Sequence, residues 1–181
     1  DKEASELCSF MFVAGHDTTT LLMAGAFQQF SETPELLQRL RENPADIEPF
    51  VEELARFRGP IHRTVRKTTE PVEIHGVTIP EGSIVRLMIA SANRDHTKFP
   101  DGDTFDMDRD SSGHLGFGHG VHSCVGAPLA RLTTPITVEL LTTMLERIEL
   151  DTDHAIEYMK GNNISNGPSV LHVRLHSRER S

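Results

Sequence analysis

Tryptophan is absent from the 181 residues, tyrosine occurs once, and cysteine occurs only at Cys8 and Cys124. Two cysteines so far apart make neither a disulfide framework nor a paired CxxC zinc or redox motif, and they fit a reducing, cytoplasmic setting. Basic residues are also scarce. Lys plus Arg total 18 against 27 Asp plus Glu, and the net charge of -9 argues against nucleic acid as a partner. Long apolar runs are missing too. The longest stretch, from Leu7 towards Phe27, is interrupted by Gly15, His16, Asp17 and three threonines, so it is no membrane span, and no anchor is visible. There is no internal repeat or low-complexity segment, which leaves one domain or part of one as the simplest count. Asn163-Ile164-Ser165 has the form of a glycosylation sequon and is read as a loop coincidence.

What is present is a globular composition, 37% hydrophobic, with enough apolar residues for a real core. The chain starts at Asp1 already in helical periodicity and reads as a piece of something longer. Leu7, Phe10, Met11, Ala14, Leu21, Leu22 and Ala26 keep a helical spacing that falters at GHDTTT, residues 15–20. Two accounts of that segment stand side by side. In one, Asp17 or Thr18 caps a new helix. In the other, a single long helix is distorted and locally unwound, with a threonine hydroxyl bonding the Ala14 carbonyl. Thr33-Pro34-Glu35 opens a second helix running to Asn43-Pro44, and a third spans roughly residues 47–57, placing Glu53 and Arg56 on one face. From Val65 the period becomes strand-like. Residues 72–74, 77–79 and 83–89, with turns at His75-Gly76 and Pro80-Glu81-Gly82, predict one small antiparallel sheet. A long irregular stretch follows to Gly120, and such loops are usually functional. A helix then runs from Pro128 to about Glu146, and short strands around a turn near residues 162–168 lead to a polar tail.

The densest stretch is LGFGHGVHSCVGAPLAR, residues 115–131. Its glycines, Gly116, Gly118, Gly120 and Gly126, leave room for something flat or bulky against the backbone. Cys124 sits at the N-terminal end of a helix, where the dipole and free amides favour a thiolate. The residue could serve as a nucleophile, a metal ligand or a small buried hydrophobe. His114, His119 and His122 keep a zinc site open, although the spacing follows no familiar finger or protease pattern. The glycines miss the dinucleotide fingerprint, because Ser123 or Val121 falls where its third glycine belongs.

FGHGVHSCVG, residues 117–126, resembles the haem-binding signature FxxGxxxCxG of the cytochrome P-450 haem-thiolate monooxygenases, with Phe117, Gly120, Cys124 and Gly126 at its defining positions. AGHDTT at 14–19 resembles the family's oxygen-activation segment in the long distal helix, and ELAR at 53–56 its ExxR motif. FDMDR at 105–109, followed by His114, resembles the meander before the haem loop. The motifs occur in the family's order and cover essentially the whole chain, and the soluble bacterial branch is the most similar. Thr133-Thr134 departs from the pattern, where a charged residue is more usual.

The resemblance implies a mainly α fold with small antiparallel β-sheets: the cytochrome P-450 fold from the distal helix onward. Residues 1–181 would form the C-terminal portion of a single domain whose N-terminal half is absent. It implies haem b, iron protoporphyrin IX, with Cys124 as the axial ligand of the haem iron, pushing electron density towards the metal. Phe117, Gly118, Gly120 and Gly126 would shape the cofactor's bed, and Arg63, His114 and, as a weaker candidate, His122 would bind its propionates. Gly15 would leave room for dioxygen while Asp17 and Thr18 relay protons. Glu53 and Arg56 would join Arg109 in a buried ion network beneath the haem. Pro60, Ile61, His62 and residues near Ile164 lie where the family's chain passes its substrate. The implied activity is insertion of one oxygen atom from O2 into an apolar small molecule. Its electrons would come from a ferredoxin or flavodoxin-type donor, with neither membrane nor nucleic acid involved. The alternatives are a shortened chain that binds haem without catalysis, and a zinc-binding module.

Overall fold

The core forms where the second and third helices lay their apolar stripes against the end of the first. In the computed structural model, which describes residues 2–161 and 164–178, helix α1 spans Lys2–Glu32, α2 Glu35–Glu42 and α3 Ile47–Phe57, with a 3-10 turn at Pro44–Asp46 before α3. Leu36, Leu37 and Leu40 of α2 and Ile47, Phe50, Val51 and Leu54 of α3 are buried against Leu22, Ala26 and Phe30 of α1. The Phe30 and Phe50 rings stack with centroids 4.9 Å apart. Each of these side chains is removed from water at about 1.5–3 kcal/mol, so the helical periodicity read from the sequence becomes the main source of cohesion.

Helix α1 is continuous through GHDTTT, which excludes both the new N-cap and the local unwinding. The Thr18 hydroxyl does bond the Ala14 carbonyl, at 2.7 Å, and Thr20 bonds that of His16 at 2.9 Å, but both act in addition to an intact helix. Burial divides α1 sharply. Residues 2–17 are exposed, including Phe10 and Phe12, whereas Leu21, Leu22, Ala26 and Phe30 are buried.

Strands β1, Thr64–Lys67, and β4, Ile84–Leu87, pair antiparallel with Thr64 opposite Leu87. Between them β2, Val72–Ile74, and β3, Val77–Ile79, form a separate hairpin. The expected single sheet is therefore two ladders. Alternation identifies a strand but not its partner, and the turn at 80–82 returns the chain to the strand before the hairpin. His75 and Gly76 carry positive φ of 48° and 77°, the conformation of a tight hairpin turn. A short helix α4, Ile89–Ala92, was not foreseen. Helix α5, Ala127–Met144, ends before Glu146 because Leu145 turns extended and starts β5, Leu145–Leu150. β5 pairs with β8, Val173–Ser177, while β6, Glu157–Tyr158, pairs with β7, Pro168–Val170. The expected turn near 162–168 and the sequon at Asn163 fall partly outside the described residues, as does the end of the polar tail.

Candidate functional site: the Cys124 loop and its base

The base of the site is a buried arginine. Glu53 and Arg56 are three positions apart on α3 and sit at 0% and 2% exposure. Arg56 uses all five of its N–H donors. Nε and Nη2 reach the two Glu53 carboxylate oxygens at 2.7 Å each, Nη1 donates to the carbonyls of Asn93 at 2.6 Å and Gly102 at 2.8 Å, and Nη2 donates to that of Thr104 at 3.0 Å. Glu53 also accepts from the Ser111 hydroxyl at 2.6 Å and the Asp106 amide at 2.9 Å. Burial alone would raise the Glu53 pKa, yet the hydrogen bonds from Arg56, Ser111 and Asp106 hold it below its ordinary value.

Arg109 joins this group as a neighbouring charge. Its Nε lies 3.6 Å from Glu53 Oε1 and has no hydrogen-bond partner among the described residues, while its remaining nitrogens donate to the carbonyls of Pro100 and Asp101. In effect α3 grips the irregular stretch by its backbone, which explains how a segment with so little regular structure is held in one conformation.

A second clamp, not seen in the sequence, lies beside the first. Glu52 pairs with Arg131 of α5 at 2.7 and 2.9 Å and accepts from His114 Nε2 at 3.0 Å. Arg131, then His114, hold the Glu52 carboxyl down at a pKa of about 2. Arg131 also covers the Phe117 ring at 4.4 Å and lies within electrostatic reach of Cys124. His114 has a side chain only 3% exposed, with Nδ1 accepting the Gly116 amide at 3.0 Å and Nε2 turned to Glu52. Of the other two residues expected at the propionates, His122 is exposed in the 3-10 turn Gly120–His122 and Arg63 is half-buried.

The glycines are reassigned in part. A Cβ on Gly116 would sit 2.6 Å from the Ala55 carbonyl oxygen and 2.9 Å from His114 Nδ1, so this glycine lets the loop pack on α3 and not on a ligand. Gly118 and Gly120 adopt positive φ of 72° and 65°, which the loop's own turns require. At Gly126 a Cβ would meet Cys124 Sγ at an ordinary 3.8 Å.

The loop closes through the Cys124 amide, which donates to the Phe117 carbonyl at 2.8 Å. Cys124 itself is exposed, among Val121 at 96%, Val125 at 77% and Leu129 at 64% exposure. An exposed thiol on the same stretch as several exposed apolar side chains suits a flat, apolar group carrying a thiolate-binding metal. The residues present therefore fit a haem. They do not assemble a zinc site: His114 is committed to Glu52, and no group of three or more His, Cys, Asp or Glu converges among the described residues. Gly15 and Asp17 lie on the exposed part of α1 with Thr18 half-buried, and nothing within 4 Å would meet a Cβ on Gly15. Among the described residues no hydrogen bond brings these three to the Cys124 loop; Glu53, Arg56 and Arg109 bond the irregular stretch that leads into it, at residues 100–111. Glu52, Asn93, Ser111 and Arg131 were missed. The only signal was their chemistry, polar groups scattered among motif residues at no helical or strand period.

This fold and this loop can be set against known proteins. The sequence matches the profile of the family described as Cytochrome P450 over residues 47–169, and the chain belongs to that family. It is 43% identical over 170 residues to Cytochrome P450 119 of Sulfolobus acidocaldarius, covering 93% of this chain and 44% of that protein. It is 37% identical over 174 residues to Cytochrome P450 monooxygenase PikC of Streptomyces venezuelae, covering 96% and 42%. Among solved structures, CYP109Q5 from Chondromyces apiculatus superposes with a TM-score of 0.87 at 35% identity, over 94% of this chain and 44% of that one. The fold expected from the resemblance, mainly α with small antiparallel sheets, is the one observed, and haem is the cofactor of the family. The chain spans less than half the length of the curated relatives it matches. Among the described residues no helix is long and apolar enough to cross a membrane.

Proposed function

We propose that this chain is the C-terminal portion of a single cytochrome P450 domain, acting in the cytoplasm as a monooxygenase with haem b. It would insert one oxygen atom from O2 into an apolar small molecule, with electrons from a ferredoxin or flavodoxin-type donor. The observation that carries this is Cys124, whose thiol is exposed and whose backbone amide donates to the Phe117 carbonyl, on a loop entered from a stretch fastened by the buried Glu53–Arg56 pair. When bound, haem supplies the redox chemistry that activates O2.

The chain's own residues do the rest. Cys124 would hold the iron through its exposed Sγ. Phe117, Gly118, Gly120 and Gly126 would shape the bed, and Arg63, His114 and His122 would pair with the propionate carboxylates. Thr18 Oγ, whose hydrogen points to the Ala14 carbonyl, keeps its lone pairs available to take and pass a proton, with Asp17 one residue away as the acid. Gly15 leaves open space for the small molecule being reduced. Two relatives support a sizeable organic substrate: one is named Erythromycin C-12 hydroxylase, from Saccharopolyspora erythraea at 39% identity, and one, CYP109E1 from Bacillus megaterium, was solved in complex with corticosterone.

Loading the protein with haem and reducing it under CO tests the proposal. A thiolate-type, red-shifted Soret band that disappears in Cys124→Ser is expected. Absence of that band, or its survival in Cys124→Ser, would overturn the proposal.

A further inference from the structure

Neither the ExxR pair nor the cysteine signature includes Asn93, yet its side chain joins Arg56 to Leu115, two residues before the signature. It is 2% exposed and follows α4, its amide donating to the Ile89 carbonyl at 2.9 Å. Its own carbonyl accepts from Arg56 Nη1 at 2.6 Å, and its Nδ2 donates to the Arg56 carbonyl at 3.3 Å. Its Oδ1 accepts the Leu115 amide at 2.7 Å. Both side-chain partners are backbone groups of fixed polarity, so the amide orientation is determined, with a donor on the α3 side and an acceptor on the loop side. Aspartate could not donate while charged, and alanine could do neither. From Leu115 the path to the thiol is short. The Leu115 carbonyl accepts from Gly118 at 2.9 Å, and the Phe117 carbonyl between them accepts from Cys124 at 2.8 Å.

We infer that Asn93 is a positioning residue for Cys124: its side-chain amide fastens the start of the thiol loop, at Leu115, to the Arg56 end of α3. The Glu53–Arg56 pair grips residues 102–106 by their backbone, whereas Asn93 carries that rigidity on to the loop. Its role is therefore separable from that of the ion network. The spectral arm of the test rests on the haem reading above; the exchange arm does not.

The experiment uses the haem-loaded protein that contains this chain, with Asn93→Ala and Asn93→Asp. Hydrogen exchange is followed by peptide over residues 113–126 and over the α1–α3 core. In Asn93→Ala the loop amides should exchange about tenfold faster or more while the core peptides around Phe30 and Phe50 stay within about twofold of wild type. Asn93→Asp keeps the acceptor for Leu115, so its loop acceleration should be smaller than that of Asn93→Ala. The ferrous-CO band of Asn93→Ala should drift from the thiolate to the thiol position faster than wild type at equal haem content. Loop exchange unchanged in Asn93→Ala overturns the inference, as does acceleration spread equally over loop and core. If Asn93→Ala does not fold, equal loop and core acceleration in Asn93→Asp overturns it. Loss of the thiolate band already in wild type would instead count against the haem reading, leaving the exchange result to decide Asn93.

Discussion

On α3, Arg56 and Glu53 are buried with every hydrogen-bonding position of the guanidinium used; on the Cys124 loop, Cys124, Val121 and Val125 are exposed. The Glu53–Arg56 pair is buried and hydrogen-bonded, and the rim is exposed. Stability is therefore concentrated where the chemistry is not, a common arrangement in which a rigid scaffold presents exposed functional groups. Substitutions in the two regions should separate accordingly.

The largest expected effect is at the base. Glu53→Gln leaves the Arg56 charge buried without its carboxylate and should cost about 3–5 kcal/mol, read as a shift of the urea unfolding midpoint. Gly116→Ala comes next, because its Cβ would stand 2.6 Å from the Ala55 carbonyl oxygen. Overpacking of this kind should cost about 1–3 kcal/mol by the same measurement, and a wild-type midpoint would show that the loop does not rest on α3.

The Glu52 clamp lies between base and rim and should respond to pH. Its pKa is depressed from 4.5 to about 2, so its contribution is present above the ordinary value and is lost as pH falls towards about 2. Near neutral pH, Glu52→Gln should cost about 1–2 kcal/mol after allowing for partial exposure and screening, and the difference from wild type should shrink steadily in acid. A difference that is constant with pH would mean that the carboxylate charge is not what Arg131 and His114 hold. At the rim, Val125→Ser should change unfolding of this chain by no more than about 0.5 kcal/mol, since that side chain is already 77% exposed. A larger loss would place Val125 with the base and break the contrast.

The sequence by itself determined the helices whose apolar residues repeat at helical spacing, as at Ile47, Phe50, Val51 and Leu54, because period and burial are the same information on an amphipathic helix. It also determined the hairpin turn at His75-Gly76 and, through a loop motif of fixed spacing, the position of Cys124. The tertiary structure decided which groups meet. It decided strand partners, and the turning of His114 towards Glu52, the Arg131 clamp and the Asn93–Leu115 bond join residues between 22 and 79 positions apart. The physical reason is that a hydrogen bond between distant residues leaves no period in the chain. Glu53 and Arg56, at i and i+3, look like any exposed helix pair worth a few tenths of a kcal/mol until burial removes water and makes each indispensable to the other.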